Sequence, residues 1–306
     1  MSELDRTMAD LLAPPGPPVI EADRQAVRDL LVAGLTPLAG RLPAGGQALV
    51  SLPVLRHLGQ APDQGLRPDV PFAWKPAFVR RSLGLGVVQG CASGRFRTPA
   101  EAVAQVADEA VEEWRRTGWR TFHWEPWLAG LAPGARAVVL ADAVTWATTL
   151  WSSLDWGALP EATQVGGVDD QWVCPAVRTV RLKARSELRV PLAPLVPEAD
   201  PRRAPGAASA LVAVASGCPS PGWREELAYL ALVAGLRSAT RPVPARVLGL
   251  WPDAGFREAV EVDRPVLERA VARVVATVGR LVEGQAVSAE GDGSELVAPT
   301  PSLAAA

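Results

Sequence analysis

Polar and apolar residues alternate strongly from Thr179 to Val190. Val180, Leu182, Ala184, Ser186, Leu188 and Val190 fall on one side, and Arg181, Lys183, Arg185, Glu187 and Arg189 on the other. This is the period-2 pattern of a strand with one buried face. A wholly apolar run over 210–215 stops at Ser216-Gly217-Cys218-Pro219 and reads as a second strand; a helical segment over 223–236 and a third apolar run over 245–251 follow. The order strand, strand, helix, strand predicts one mixed sheet with a helix packed on it.

Upstream the period becomes helical. Glu21 to Leu35 reads as a helix, with Ala26, Leu30, Leu31 and Leu35 at roughly helical spacing, and 48–58 reads as a short strand or helix ahead of a Gly/Pro/Asp/Gln loop over 59–71. Pro99 to Arg116 is an amphipathic helix, with Thr98 as N-cap and Pro99 at the first helical position. A more apolar helix over 135–154 is expected to be buried on most sides. A last helix, 264–282, carries its apolar stripe on Val266, Leu267, Ala270, Val271, Val274, Val275, Val278 and Leu281. The Pro-rich stretch Ala13 to Pro18 marks residues 1–20 as a flexible segment. Residues 285–306, rich in Ser, Pro, Ala and acidic side chains without periodicity, read as a disordered tail. A single α/β domain with a helical N-terminal half is expected over 21–284.

A hydrophobic fraction of 48% over 306 residues is enough for a sizeable core, and the net charge of −2 provides no whole-protein field toward nucleic acid. DNA binding would need a local basic strip, for which Arg181, Lys183, Arg185 and Arg189 are the candidates. Arginine outnumbers lysine 29 to 2, a GC-rich coding bias of the actinobacterial kind that inflates every arginine cluster. Cys91, Cys174 and Cys218 are odd in number and widely spaced, which argues against a disulfide scaffold. His57 and His123 complete no zinc spacing with them. With no apolar run near a leader and none long enough to span a bilayer, a cytoplasmic protein without membrane contact is expected. Eleven tryptophans against one tyrosine read mainly as core, with stacking on bases as the sharper alternative. Gly84 to Gly90 reads as close helix packing, and Gly166-Gly167-Val168-Asp169-Asp170 as a solvated turn before a strand.

The segments Ala184-Arg185-Ser186-Glu187-Leu188 and Val212-Ala213-Val214-Ala215-Ser216-Gly217-Cys218-Pro219 resemble the two core strands of the PD-(D/E)XK nuclease superfamily, in its RecB-like branch. Those strands typically read Gly-Arg-Ile-Asp-Leu and Val-Asp-Leu-Lys-Thr-Gly-x-Pro. The resemblance implies an α/β fold with a mixed central sheet flanked by helices, a restriction-endonuclease-like core, plus an additional N-terminal helical region. It places Glu187 at the first metal-binding carboxylate, Ala213 at the second and Ala215 at the lysine. Glu226 and Leu230 stand at the Gln and Tyr of the helix motif, with Tyr229 one residue early. Leu85-Gly86-Val87-Val88-Gln89 stands where branch members carry a histidine on a helix.

Hydrolysis of this type needs Mg²⁺ or Mn²⁺ held by converging carboxylate oxygens, with a base or electrophile near the attacking water. Alanine supplies neither. The expectation is a degenerate, non-catalytic nuclease-fold protein serving as a DNA-associated or protein-interaction subunit, without a cofactor. The alternative is an atypical Mg²⁺- or Mn²⁺-dependent nuclease built on Glu187 as metal ligand and catalytic group and on Lys183. On an extended strand these two stand about 13 Å apart along the axis. They share the charged face, and Glu225 or Glu226 would then have to supply the missing carboxylate.

Overall fold

In the computed structural model, residues 3–42, 46–60, 74–120, 123–192, 208–237 and 241–291 are described. Most of the expected loop over 59–71 and the end of the expected tail lie outside these residues. The helices are α1 (Glu3–Leu12), α2 (Glu21–Ala39), α3 (Leu52–Gln60), α4 (Pro76–Ala92), α5 (Pro99–Thr117), α6 (Glu125–Ala129), α7 (Pro133–Ser152), α8 (Trp223–Arg237) and α9 (Arg264–Gly291). The strands are β1 (Ala48–Ser51), β2 (Gln164–Val173), β3 (Val180–Pro191), β4 (Ser209–Val214), β5 (Arg246–Trp251) and β6 (Phe256–Glu261).

The strands form one mixed sheet in the order β1-β3-β4-β5-β6, with β2 also paired to β3. β2, β3 and β4 run antiparallel in succession, and α8 then carries the chain from β4 to its parallel neighbour β5. The expected α/β architecture is therefore present. One apolar cluster joins α2, α3, α8 and α9 to one face of the sheet; a second joins α1, α4, α5 and α7 to the other.

Local chemistry explains the better-defined elements. The Thr98 side chain accepts from the Glu101 N–H at 3.4 Å, Pro99 opens α5, and Gly118 closes it at φ 72°. Gly84 lets α4 approach α7: a Cβ there would come within 2.5 Å of the Trp146 ring. Of the tryptophans, Trp124 is fully buried, Trp146, Trp172 and Trp251 are buried, Trp119 is exposed, and Trp74, Trp114, Trp127, Trp151, Trp156 and Trp223 are half-buried.

Four expectations are corrected. α7 buries a single stripe, Val139, Ala143, Trp146, Ala147 and Leu150, and exposes Val138; a high apolar content does not fix how many faces are covered. The N-terminal segment is docked: Leu11 is fully buried, and the buried Arg246 guanidinium donates to the carbonyls of Asp10, Leu11 and Ala13. That guanidinium caps the otherwise unsatisfied C-terminal carbonyls of α1. α9 continues to Gly291, past the expected start of the tail. The alternation of β3 changes sense part-way: Val180, Leu182 and Ala184 pack in the first cluster, but Leu188 and Val190 in the second.

The reversal in β3 coincides with an irregularity on its partner. Two β2 residues, Gly166 and Gly167, stand between the pairs Val165↔Leu188 and Val168↔Ser186, where β3 has only Glu187. An extra residue of this kind bends the ladder and raises its twist. On its other edge β3 exchanges the parallel β1, paired at Val180 to Lys183, for the antiparallel β4, paired at Leu188 to Pro191. Glu187 sits at this junction.

Candidate functional site

Glu187 is buried, at 7% exposure, at the junction of β3, β4 and α4. One carboxylate oxygen accepts from the Arg81 guanidinium of α4 at 2.6 Å, and the other from the Val214 N–H of β4 at 2.8 Å. Arg81 also donates to the Val214 carbonyl at 2.9 Å. Arg81, Glu187 and the Val214 peptide thus form a closed clasp between helix and sheet. Burial pushes the Glu187 carboxyl above its usual range, against the opposing pull of Arg81, the Val214 N–H and Arg185.

The clasp forms one wall of a pocket of about 220 Å³. Its polar side is made by Arg81, Gln89, Arg185, Glu187 and the bulge glycines, its apolar side by Leu85, Val88, Leu150, Leu154 and Trp156. The glycines make room at the rim. A Cβ on Gly166 would lie 2.7 Å from the Gln89 amide nitrogen, and one on Gly167 would collide with the Arg185 guanidinium. Trp156 is held at a fixed angle: its ring stacks on Trp151, centroids 5.0 Å apart and planes within 5°, and its indole N–H donates to the Trp151 carbonyl.

Of the residues selected from sequence, Glu187 and Arg185 meet in this pocket, and so does Gln89 at the end of the Leu85-to-Gln89 stretch. Lys183 does not line it. It stands between Ser51 and Gln171 in the ladder, and its carbonyl accepts from the buried Tyr229 hydroxyl. Burial pushes the Tyr229 hydroxyl well above the usual phenol range. The strand residues Arg181, Lys183 and Arg185 share a half-buried to exposed face with Leu49 and Ser51 of β1 and with Asp169, Gln171 and Val173 of β2. Arg185 is only loosely paired with Asp169, at 4.0 Å.

Arg189 leaves the expected basic strip. Its side chain is 11% exposed, lies 3.6 Å from the buried Asp170 and reaches the Ser209 hydroxyl. Desolvation lowers its pKa, with Asp170 acting the other way. Asp170 also accepts from Arg237 of α8 at 2.6 Å. The Gly-Gly-x-Asp-Asp stretch expected to be a solvated turn therefore lies within β2, with its second aspartate buried in a cationic setting.

The two alanines that the resemblance places at metal-site positions, Ala213 and Ala215, pack against the first apolar cluster, on the sheet face opposite the one Val212 and Val214 cover. The β4 residue that meets Glu187 is Val214, through its backbone. Either register leaves β4 without a side-chain oxygen at the site. Glu225 is exposed, and Glu226, though buried, is held by both Arg56 nitrogens at 2.6 and 2.9 Å and by the Ser220 hydroxyl. Among the described residues no group of three or more His, Cys, Asp or Glu side chains is placed to hold a metal ion.

Arg81 was not found from sequence. It lies 106 residues from Glu187, and in an arginine-rich chain nothing local distinguishes it from Arg80, which pairs with Asp253 instead. Compared with known proteins, the chain matches no family model and no curated sequence. No described helix is long and apolar enough to cross a membrane.

Proposed function

We propose that this chain is a nuclease-fold protein whose metal-dependent centre has been replaced by a cationic pocket, and that it serves as a non-catalytic, DNA-associated subunit. The observation behind this reading is the charge balance around Glu187. A Mg²⁺ or Mn²⁺ site gathers carboxylates; this one gathers two guanidinium groups, Arg81 and Arg185, around a single carboxylate whose two oxygens are both engaged. A pocket of that composition attracts anions and repels divalent cations. It opens beside Arg181, Lys183 and Arg185 on one strand, a set suited to successive phosphates of a nucleic-acid backbone.

The test has two arms. Incubation with single- and double-stranded DNA in Mg²⁺ or Mn²⁺ is expected to give no cleavage. DNA binding is expected at low ionic strength and should fall steeply with salt, because each phosphate contact releases counterions. Lys183→Ala and Arg185→Ala should each reduce the affinity and the salt slope. Cleavage abolished by Glu187→Ala would establish the atypical nuclease instead. Absence of any salt-dependent DNA association would transfer the role to a protein partner.

A further inference from the structure

We infer that the pocket beside Glu187 receives a single unstacked nucleobase from a DNA strand whose phosphates follow Arg185, Lys183 and Arg181. This rests on the DNA-associated reading above and adds to it the group bound and the place where it binds.

The pocket has two unlike sides, and a base has both counterparts. Its apolar wall of leucines, valine and one indole matches the faces of a planar ring, and aromatic side chains of this kind serve as sequence-tolerant platforms for single strands. Trp156 is braced from behind by Trp151, so its orientation is set before any ligand arrives and little side-chain freedom remains to be lost. The polar rim offers what a base edge needs: the Gln89 amide, which both donates and accepts, and the carboxylate of Glu187, which has lone pairs beyond the two in use.

Size and continuity narrow the occupant. At about 220 Å³ the pocket is smaller than the roughly 300–1,000 Å³ of sites that enclose drug-sized molecules, so it takes one ring system and leaves the rest of a polymer outside. Arg185 belongs both to the pocket rim and to the basic strand face; its guanidinium lies against Gly167 of β2, in space that a side chain there would fill. A phosphate on Arg185 therefore stands next to the pocket mouth, and the nucleotide carrying it can turn its base inward. A base within a duplex is stacked and paired and has no such freedom, so the inference applies to single-stranded DNA.

The test compares fluorescently labelled oligothymidylate with a strand of equal length carrying abasic sites, by anisotropy at low salt. The full chain is expected to bind the base-bearing strand about 5- to 150-fold more tightly, the range for one stacked base. Trp156→Leu should remove that preference while leaving salt-dependent binding in place. Should Trp156→Leu fail to fold, Leu85→Trp, which fills the pocket from the half-buried face of α4, is expected to do the same. Equal affinity for the two strands overturns the inference and leaves the DNA reading standing. A preference that survives in both variants also overturns it, because the base is then read elsewhere. If neither strand binds, the DNA reading and the inference fall together.

Discussion

Replacing Arg81 by alanine isolates the interaction on which the site depends. The substitution removes the 2.6 Å bond to Glu187 and the 2.9 Å bond to the Val214 carbonyl, and leaves a 7%-exposed carboxylate with the Val214 N–H as its remaining partner in the clasp. Breaking a buried ion pair costs roughly 3–5 kcal/mol when both partners are fully enclosed. Here the Arg81 side chain is 34% exposed against 9% for Glu187, so water screens one end of the pair. The expected loss is about 2 kcal/mol, within the range for a hydrogen bond to a charged group. For a chain of this size that is a fall in Tm of roughly 4 °C. Urea unfolding of the parent, Arg81→Ala, Glu187→Leu and the double variant at pH 7 would measure it. The coupling between the two positions should be at least about 1 kcal/mol, and the double variant should recover most of the loss, because no unpaired charge remains buried. Effects of Arg81→Ala below about 0.5 kcal/mol, or strict additivity of the two substitutions, would show that the clasp is incidental.

The other predictions follow from the same structure. Because burial holds the Glu187 carboxyl above its free value of about 4.3, ionisation is disfavoured in the folded state. The stability it contributes is complete below that value and lost as pH rises through the folded pKa, so the parent should lose stability relative to Glu187→Gln as pH rises above the free value; a constant difference with rising pH would contradict the stated cause. Gly84→Ala drives a methyl group into the Trp146 ring and should destabilise by about 1–3 kcal/mol, measured by denaturant unfolding. Arg246→Ala removes the cap on α1 and should expose the first twelve residues to limited proteolysis without moving α4 or the pocket, read as faster clipping near the N-terminus.

How far the sequence led is clearest along β3. Its first half follows the alternation because Val180 to Lys183 meets regular partners on both edges. Past Ala184 the pattern misleads, because the facing reverses between Glu187 and Leu188, which line the same pocket, where β2 carries its glycine pair and the partner changes from β1 to β4. That reversal puts Arg189 with Asp170 rather than with the other cations. The strands β3, β4 and β5 and the helices α5, α8 and α9 were legible because each carries its own apolar run, period or cap, whereas β2 was expected as a turn and β6 had no alternation to mark it. The clasp was not legible, since it joins α4, β3 and β4 through a side chain remote in sequence and through a peptide group that any residue except proline would supply.

The central claim is that the pocket around Glu187 is cationic and does not hold a divalent metal. Calorimetric titration of the full chain with Mn²⁺ tests it most directly. One carboxylate already engaged by Arg81 and the Val214 N–H should leave affinity no better than roughly millimolar, since the ion would keep most of its ligands as water. A micromolar site that disappears in Glu187→Ala would contradict the account.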